Sequence, residues 1–209
     1  NYKQQIDKII NNAQSILISD NNIKSALQAL LRDTLTATHS SFGFISQVDK
    51  DSDEKPFMRA LIFSGAHKDQ RALENFQQHH LPENGEYRNL DHLFGIIMQS
   101  NKPVISHDLS TDTRATRLPE GHPEIKSFIG IPVFNGRDQV AILGLANPVE
   151  PYQPELASKL EPILKTIAQF IQTMNHERRH AQDRAALEAS NQHTQTILND
   201  IADGIITIN

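Results

Sequence analysis

No cysteine occurs in the 209-residue chain. Disulfides, thiolate metal sites, cysteine nucleophiles and thioether-linked chromophores are thereby excluded, and an intracellular address is expected. Long apolar runs are missing too. The longest, such as Val140 to Ala146, fall far short of the roughly 20 residues that a membrane-spanning helix needs, so a soluble piece is expected. Positive charge is not in excess: 20 Lys and Arg stand against 25 Asp and Glu, a net −5 with neutral histidines. That balance leaves no electrostatic footprint for nucleic acid or an anionic membrane, and neither is an expected partner. The chain has no Gly-rich phosphate loop, no Gly-x-Ser-x-Gly elbow and no EF-hand ligand spacing, so ATP-dependent and serine-hydrolase readings lack support. It shows no repeat on the scale of solenoids or propellers. No signal sequence precedes Asn1, and the run Ile205-Ile206-Thr207-Ile208 looks like an unfinished strand, so the chain reads as an excised fragment.

What is present suffices for one substantial core. At 38% hydrophobic residues a single α+β domain with helical extensions is expected. Ile6, Ile9, Ile10, Ala13, Ile16 and Leu17 recur at helical spacing, ending near Ser19-Asp20-Asn21-Asn22. A second helix buries Ile23, Leu27, Leu30, Leu31 and Leu35, with Asp20 or Asn21 as its N-cap. Phe42 to Val48 and Phe57 to Phe63 read as an antiparallel hairpin across the polar turn Asp49 to Asp53. Residues 68 to 88 suggest a short helix and a loop, followed by a helix from about Leu90 to Gln99 and a brief strand at Val104-Ile105. Ser106 to Lys126 has no period and is broken by Pro119, Gly121 and Pro123, the mark of a long loop. Phe128 to Phe134 and Gln139 to Asn147 flank Asn135-Gly136, a strong tight-hairpin signal. Gly130 and Gly144 mark points where a side chain would crowd a pocket or the packed helices. Beyond Pro154, Leu156, Ile163 and Phe170 form one heptad row and Leu160, Ile167 and Met174 another, but from Asn175 to Arg184 apolar residues nearly vanish.

Two constellations could carry chemistry. His176-Glu177-Arg178-Arg179-His180 spells the H-E-x-x-H of zinc proteases, and residues four apart share a helix face. Arg178, Arg179, Gln182, Asp183 and Arg184 surround the pair, which is the setting of a solvated helix face and not of a dry catalytic zinc site. No metal is expected there. His79-His80 lies in a polar stretch and reads as surface. The long loop gathers His107, Asp108, Asp112, Arg114, Arg117, Glu120 and His122. Charges at a pocket rim can orient a polar ligand, and Asp108 or Asp112 with Arg114 can equally be an ion pair that orders the loop.

Five runs, Tyr87-Arg88-Asn89-Leu90-Asp91-His92-Leu93-Phe94-Gly95, Lys102-Pro103-Val104-Ile105, Leu118-Pro119-Glu120-Gly121-His122-Pro123, Phe128-Ile129-Gly130-Ile131-Pro132 and Gly144-Leu145-Ala146-Asn147, follow in an order and spacing that resembles the GAF domains of bacterial sensor proteins. The resemblance covers roughly Ile23 to Met174. Thr196 to Ile206 similarly resembles the opening helix and strand of a PAS domain. These resemblances imply an N-terminal helix at 1–20, a GAF-like sensory domain at 21–174, a signalling-helix linker at 175–195 and the beginning of a PAS-like domain at 196–209. They imply an α+β fold, a six-stranded antiparallel sheet flanked by helices, with long N- and C-terminal helices. They further imply a non-catalytic cytoplasmic module that binds a small ligand and passes the signal along its last helix, the output enzyme lying elsewhere in a larger protein. The pocket floor would come from Phe44, Leu61, Phe63, Phe128 and Ile142, and its lid from Leu90, Leu93, Phe94, His107, Asp108, Arg114 and His122. For each floor residue plain core packing is the alternative. Bilin-binding relatives attach pigment through cysteine, which is absent. Relatives that bind cyclic nucleotides carry an Asn-Lys…Phe…Asp-Glu signature, whereas Asn147-Pro148-Val149-Glu150 lacks the Lys and Asn147 to Glu155 lacks the acidic pair. Haem would need an axial histidine in the pocket; His107 and His122 are candidates, but a loop histidine beside proline more often caps a turn or meets solvent. No cofactor is expected. Heptad spacing of Ile6 with Ala13 and Ile9 with Ile16, and the thin stripe Ala181, Ala185 and Leu187, lead to the expectation of a parallel homodimer through the terminal helices. The alternative is a structural dimerisation module whose pocket is filled by its own side chains.

Overall fold

The computed structural model describes residues 2–65, 85–88, 93–115 and 124–206, with side chains as far as residue 197. Helix α1 (Tyr2–Asp20) buries Ile6, Ile9 and Ala13 and packs along helix α2 (Ile23–Thr38). Asn12 Nδ2 donates to Asp33 Oδ2 at 2.7 Å between them. The N-cap of α2 is Asn22, whose side chain accepts from the Ser25 amide at 3.1 Å, one or two residues beyond the expected cap. Asn21 is spent in ending α1: it takes a left-handed φ of 48° and its N–H returns to the Leu17 carbonyl, as a helix C-terminus requires.

Strands β1 (Ser40–Lys50), β2 (Pro56–Gly65) and β3 (Glu86–Tyr87) precede helix α3 (Leu93–Ser100) and strand β4 (Val104–Ser106). Strands β5 (Phe128–Asn135) and β6 (Asp138–Pro148) follow, then the short helix α4 (Leu156–Lys159) and helix α5 (Glu161–Ile206). All strand pairs are antiparallel in one six-stranded sheet of order β3-β2-β1-β6-β5-β4. The α+β expectation with its long terminal helices is met.

The β5–β6 hairpin closes one residue later than its Asn-Gly signal suggests. Asn135 pairs with Asp138, so Gly136 and Arg137 form the loop, and the positive φ of 63° falls on Gly136, the requirement of a two-residue turn with glycine first. Between β1 and β2 the register slips: Ile45 faces Ile62 and Ser46 faces Ala60, leaving Leu61 as the extra residue of a bulge.

Cross-strand partners share a face, and the register separates the sheet into two. One face carries Ile45, Ile62, Ile129, Ile131, Leu143 and Leu145, all buried. Helix α2 covers part of this face through Leu31 and Leu35, which lie against Gly43, and through Gln28, whose amide donates to the Phe63 carbonyl at 3.1 Å. The other face carries Phe44, Phe63, Phe128, Gly130, Ile142 and Gly144.

The chain forms two compact units, Asn1–Ile171 and Gln172–Asn209. In the first, Leu160, Ile163, Ile167, Phe170 and Ile171 are buried, as the two heptad rows require. In the second, every side chain from His176 to Ile197 is exposed. The backbone stays helical through Ile206, so the strand expected from Ile205 does not begin there. An isolated strand has no partner for its N–H and C=O groups, whereas a helix satisfies them within itself. The short helix expected between 68 and 88, the start of the helix at Leu90 and the pair His79-His80 fall outside the described residues.

Candidate functional site

The face away from α2 is built around rings. Phe44 lies edge-on to Phe94 with centroids 5.3 Å apart and stacks on Phe128 at 6.2 Å; Phe94 meets Phe128 edge-on at 5.8 Å, and Phe63 reaches Phe44 at 6.1 Å. Such offset and edge-to-face geometries suit the ring quadrupole. Phe44, Phe94 and Phe128 join Met58, Leu93, Ile97, Val104 and Ile142 in one apolar cluster, against which Tyr87, Leu109 and Ala115 also pack. Of the expected floor, Phe44, Phe63, Phe128 and Ile142 are thus brought together, with Leu93 and Phe94 of the lid. Leu61 takes the bulge position. Leu90 and His122 lie outside the described residues.

Beneath the rings, Gly130 and Gly144 face each other in register. A Cβ on Gly144 would overlap the Phe44 ring, and one on Gly130 would overlap Ile97 Cδ1. The crowding expected at these glycines is thereby located on the aromatic face.

The loop after β4 is ordered by its own charges. Arg114 donates to Asp112 from Nε at 2.9 Å and from Nη2 at 2.7 Å, and Nη2 also reaches the Ile105 carbonyl at 2.9 Å. Of the two aspartates open as its partner, Asp112 takes the guanidinium. Asp108 accepts instead from the amide and hydroxyl of Ser110 at 2.9 and 2.6 Å, a local turn. The Arg114 guanidinium, then the Ser106 hydroxyl, holds the Asp112 carboxyl well below the usual carboxylate range. The Ser110 hydroxyl and amide lower Asp108. His107 is exposed. At the end of the loop, Asn147 Oδ1 accepts from the Lys126 and Ser127 amides at 2.7 and 3.3 Å while its Nδ2 donates to the Glu124 carbonyl at 2.8 Å. The residue that opens the cyclic-nucleotide signature is here a backbone clamp.

Two groups went unread in the sequence. Ser106, on the same face as Phe128 by register, is only 2% exposed. Its hydroxyl closes no hydrogen bond of ordinary geometry, although it lies near enough to Asp112 to help lower that carboxyl. Its one legible signal was the alternation Val104, Ser106 on a strand entering the loop. At the opposite edge, Arg59 bridges Asp49 and Glu86, and Arg88 bridges Glu86 and Asp51, at 2.8 to 3.1 Å. Both guanidinium carbons sit over the Phe57 ring, at 5.5 and 4.5 Å. Glu86 is held below its ordinary value by Arg59 and then Arg88, and the network fastens two-residue β3 to the sheet.

His176, Glu177 and His180 are exposed on α5, and among the described residues no three His, Asp or Glu side chains gather as a metal cluster. Among those residues no helix is long and apolar enough to cross a membrane.

A family profile described as GAF domain matches residues 20–172. The fold is similar to that of the GAF domain from a Coxiella burnetii phosphoenolpyruvate-protein phosphotransferase, at 14% identity and a TM-score of 0.61, over 85% of this chain and 97% of that one. The GAF domain of the Acinetobacter phosphoenolpyruvate-protein phosphotransferase gives 15% and 0.61, over 83% and 93%. The free methionine-R-sulfoxide reductase of Neisseria meningitidis, solved with its substrate, gives 10% and 0.58, over 82% and 91%. At such identities the likeness is one of fold. No curated protein sequence matches the chain.

Proposed function

The chain belongs to the GAF domain family, generally a sensory and regulatory one, and we propose that it is a non-catalytic sensory module of a multidomain bacterial signalling protein. The observation that carries this reading is the pairing of an aromatic face, closed by a loop ordered through Asp112 and Arg114, with one helix that runs on for 46 residues. In this reading residues 1–20 are a leading helix, 21–174 the sensory domain, 175–195 the signalling linker and 196–209 the beginning of a PAS-like domain, all in the cytoplasm. A small ligand binds on the aromatic face and biases α5 between two arrangements, as differential affinity for two states requires. The output enzyme, a cyclase or histidine kinase, lies elsewhere. A chain without cysteine has no thiol with which to perform redox catalysis itself.

The linker acts as one half of a parallel homodimer. Ile6, Ile9 and Ala13 are already buried within the chain, so pairing falls to the exposed stretch, where Leu187 is 63% and Ile197 45% exposed. A helix with so thin a stripe is marginal alone, and weak pairing is what a modest ligand can switch. A metabolite screen by thermal shift tests the sensory part, since a ligand that binds the native state alone raises its stability by mass action. Saturable stabilisation with chemical-shift changes at Phe44, Phe94 and Phe128 is expected; stabilisation by none overturns the reading. Sedimentation should show a dimer at high micromolar concentration that Leu187→Asp dissociates; a monomer there removes the relay through paired helices.

One observation favours a second reading. The Phe44 ring occupies the space above Gly144, as in a structural dimerisation module that fills its own pocket. In that case the dimer forms and no ligand stabilises the chain.

A further inference from the structure

On the second compact unit, Gln172–Asn209, the apolar residues of α5 mark the face that it offers to a partner. Among the described residues there, Leu187 and Ile197 are the large apolar side chains left exposed, at 63% and 45%. Ten residues apart, they fit positions a and d of successive heptads, the seam of a two-stranded coiled coil. Followed toward the N-terminus, the same seam takes Asp183 at d, His180 at a and His176 at d. Both histidines are exposed, and among the described residues no hydrogen bond or ion pair within the chain engages either. Residues four apart on a helix have Cβ atoms about 5–6 Å from each other, close enough for two imidazoles to share an ion. One chain therefore brings two ligands, too few for a closed site, which takes four. Alone, the pair is the solvated helix face expected from its neighbours.

We propose that two copies of this chain, paired in parallel along α5, hold one divalent transition-metal ion between the His176 and His180 of both. The proposal rests on the paired-helix reading above and gives that pairing its regulator. In a parallel pair in register, each seam residue meets its own twin across the two-fold axis. Two successive layers then hold four imidazoles, the number and kind of donor that zinc accepts in a closed structural site. Magnesium and calcium, which take oxygen ligands, do not fit. In the next layer the two Asp183 carboxylates each have an Arg184 of the other copy beside them, at the flanking e position. Among the described residues, neither Asp183 nor Arg184 is committed to an ion pair within its own chain. This complementarity of charge commits the face to a second copy. Arg179, at g, brings a second guanidinium near each Arg184 and keeps the metal-free pair weak. An ion that binds the pair and not the single chain shifts the equilibrium toward the pair by mass action. The clasp lies just past Ile171, where the first unit ends, and so fixes the helices where the relay begins.

Zinc chloride is the probe, titrated by calorimetry into the 209-residue chain, with dimerisation followed by sedimentation. One zinc should bind per two chains and tighten the dimer by roughly tenfold or more, whereas magnesium should do neither. His176→Ala and His180→Ala should each weaken the zinc response, and the double variant should lose it. His193→Ala, which removes another exposed histidine of the same helix, should keep it. One zinc bound per chain with no tightening of the dimer overturns the proposal. So does a zinc response that survives in the double variant. A dimer that zinc leaves unchanged overturns the metal clasp and leaves the paired-helix reading standing. A chain that stays monomeric at high micromolar concentration, with and without zinc, overturns both.

Discussion

The two faces of the sheet solve the same burial problem with different side chains. Toward α2 the chain uses branched aliphatic residues, and Leu27, Leu30, Leu31, Ile45, Leu143 and Leu145 are wholly inaccessible. Toward α3 it uses rings and paired glycines and leaves Phe44 and Phe94 only partly buried. Aliphatic interdigitation at crystal-like density gives one arrangement and little room to move. Flat rings over glycine can exchange position at smaller cost. One face therefore reads as frame and the other as the part able to respond.

Truncation on the frame should be the most damaging change. Leu30→Ala removes a side chain with no exposed surface and should cost about 2–5 kcal/mol in urea unfolding. Phe94→Leu, on the responsive face, removes a ring that is only partly buried and should cost less, about 0.5–2 kcal/mol. Equal losses would erase the distinction. Gly144→Ala comes next. Its methyl group would overlap the Phe44 ring, and moving that ring aside should cost about 1–3 kcal/mol. In a double mutant with Phe44→Leu much of that loss should disappear, a coupling that a denaturant cycle reads directly; simple additivity would mean that the ring is not what the methyl strikes.

The frame was the legible part. Apolar rows at helical spacing marked α1, α2 and the buried half of α5, and the Asn-Gly pair marked β5 and β6, because those signals are local. The responsive face was legible in its large residues, Phe44, Phe128 and Phe94, and in its glycines. Its finer features were not, because they depend on register. Nothing near Leu61 announces a bulge, and nothing in Glu86-Tyr87 announces a strand whose fasteners, Arg59 and Asp51, lie 27 and more residues away. Ser106 carries no signal of its own until β4 is paired with β5. Likewise Asp108 and Asp112 stood equally available to Arg114, and only the turn geometry at Ser110 assigns one to the loop and the other to the guanidinium.

The smallest expected effect decides to which face the loop belongs. With the Arg114 guanidinium donating twice to Asp112 and once to the Ile105 carbonyl, that side chain serves the fold, so Arg114→Ala should destabilise the ligand-free protein. The loss should be about 1 kcal/mol at most, since the Arg114 side chain is 44% exposed and exposed pairs are screened. Its dependence on pH identifies the cause. The Asp112 carboxyl is held below its ordinary value, first by Arg114. A group lowered in this way stabilises the fold above its unfolded pKa of about 3.9, and that contribution fades as pH falls from there toward the folded-state value. Asp112→Asn and Arg114→Ala should therefore trail the unaltered protein at pH 7 and converge on it as the medium is made strongly acid, in unfolding curves taken at several pH values. A gap that persists unchanged in acid would assign the effect to packing of the loop. No loss at pH 7 would release the Arg114 fork for a ligand and move the loop from the frame to the responsive face.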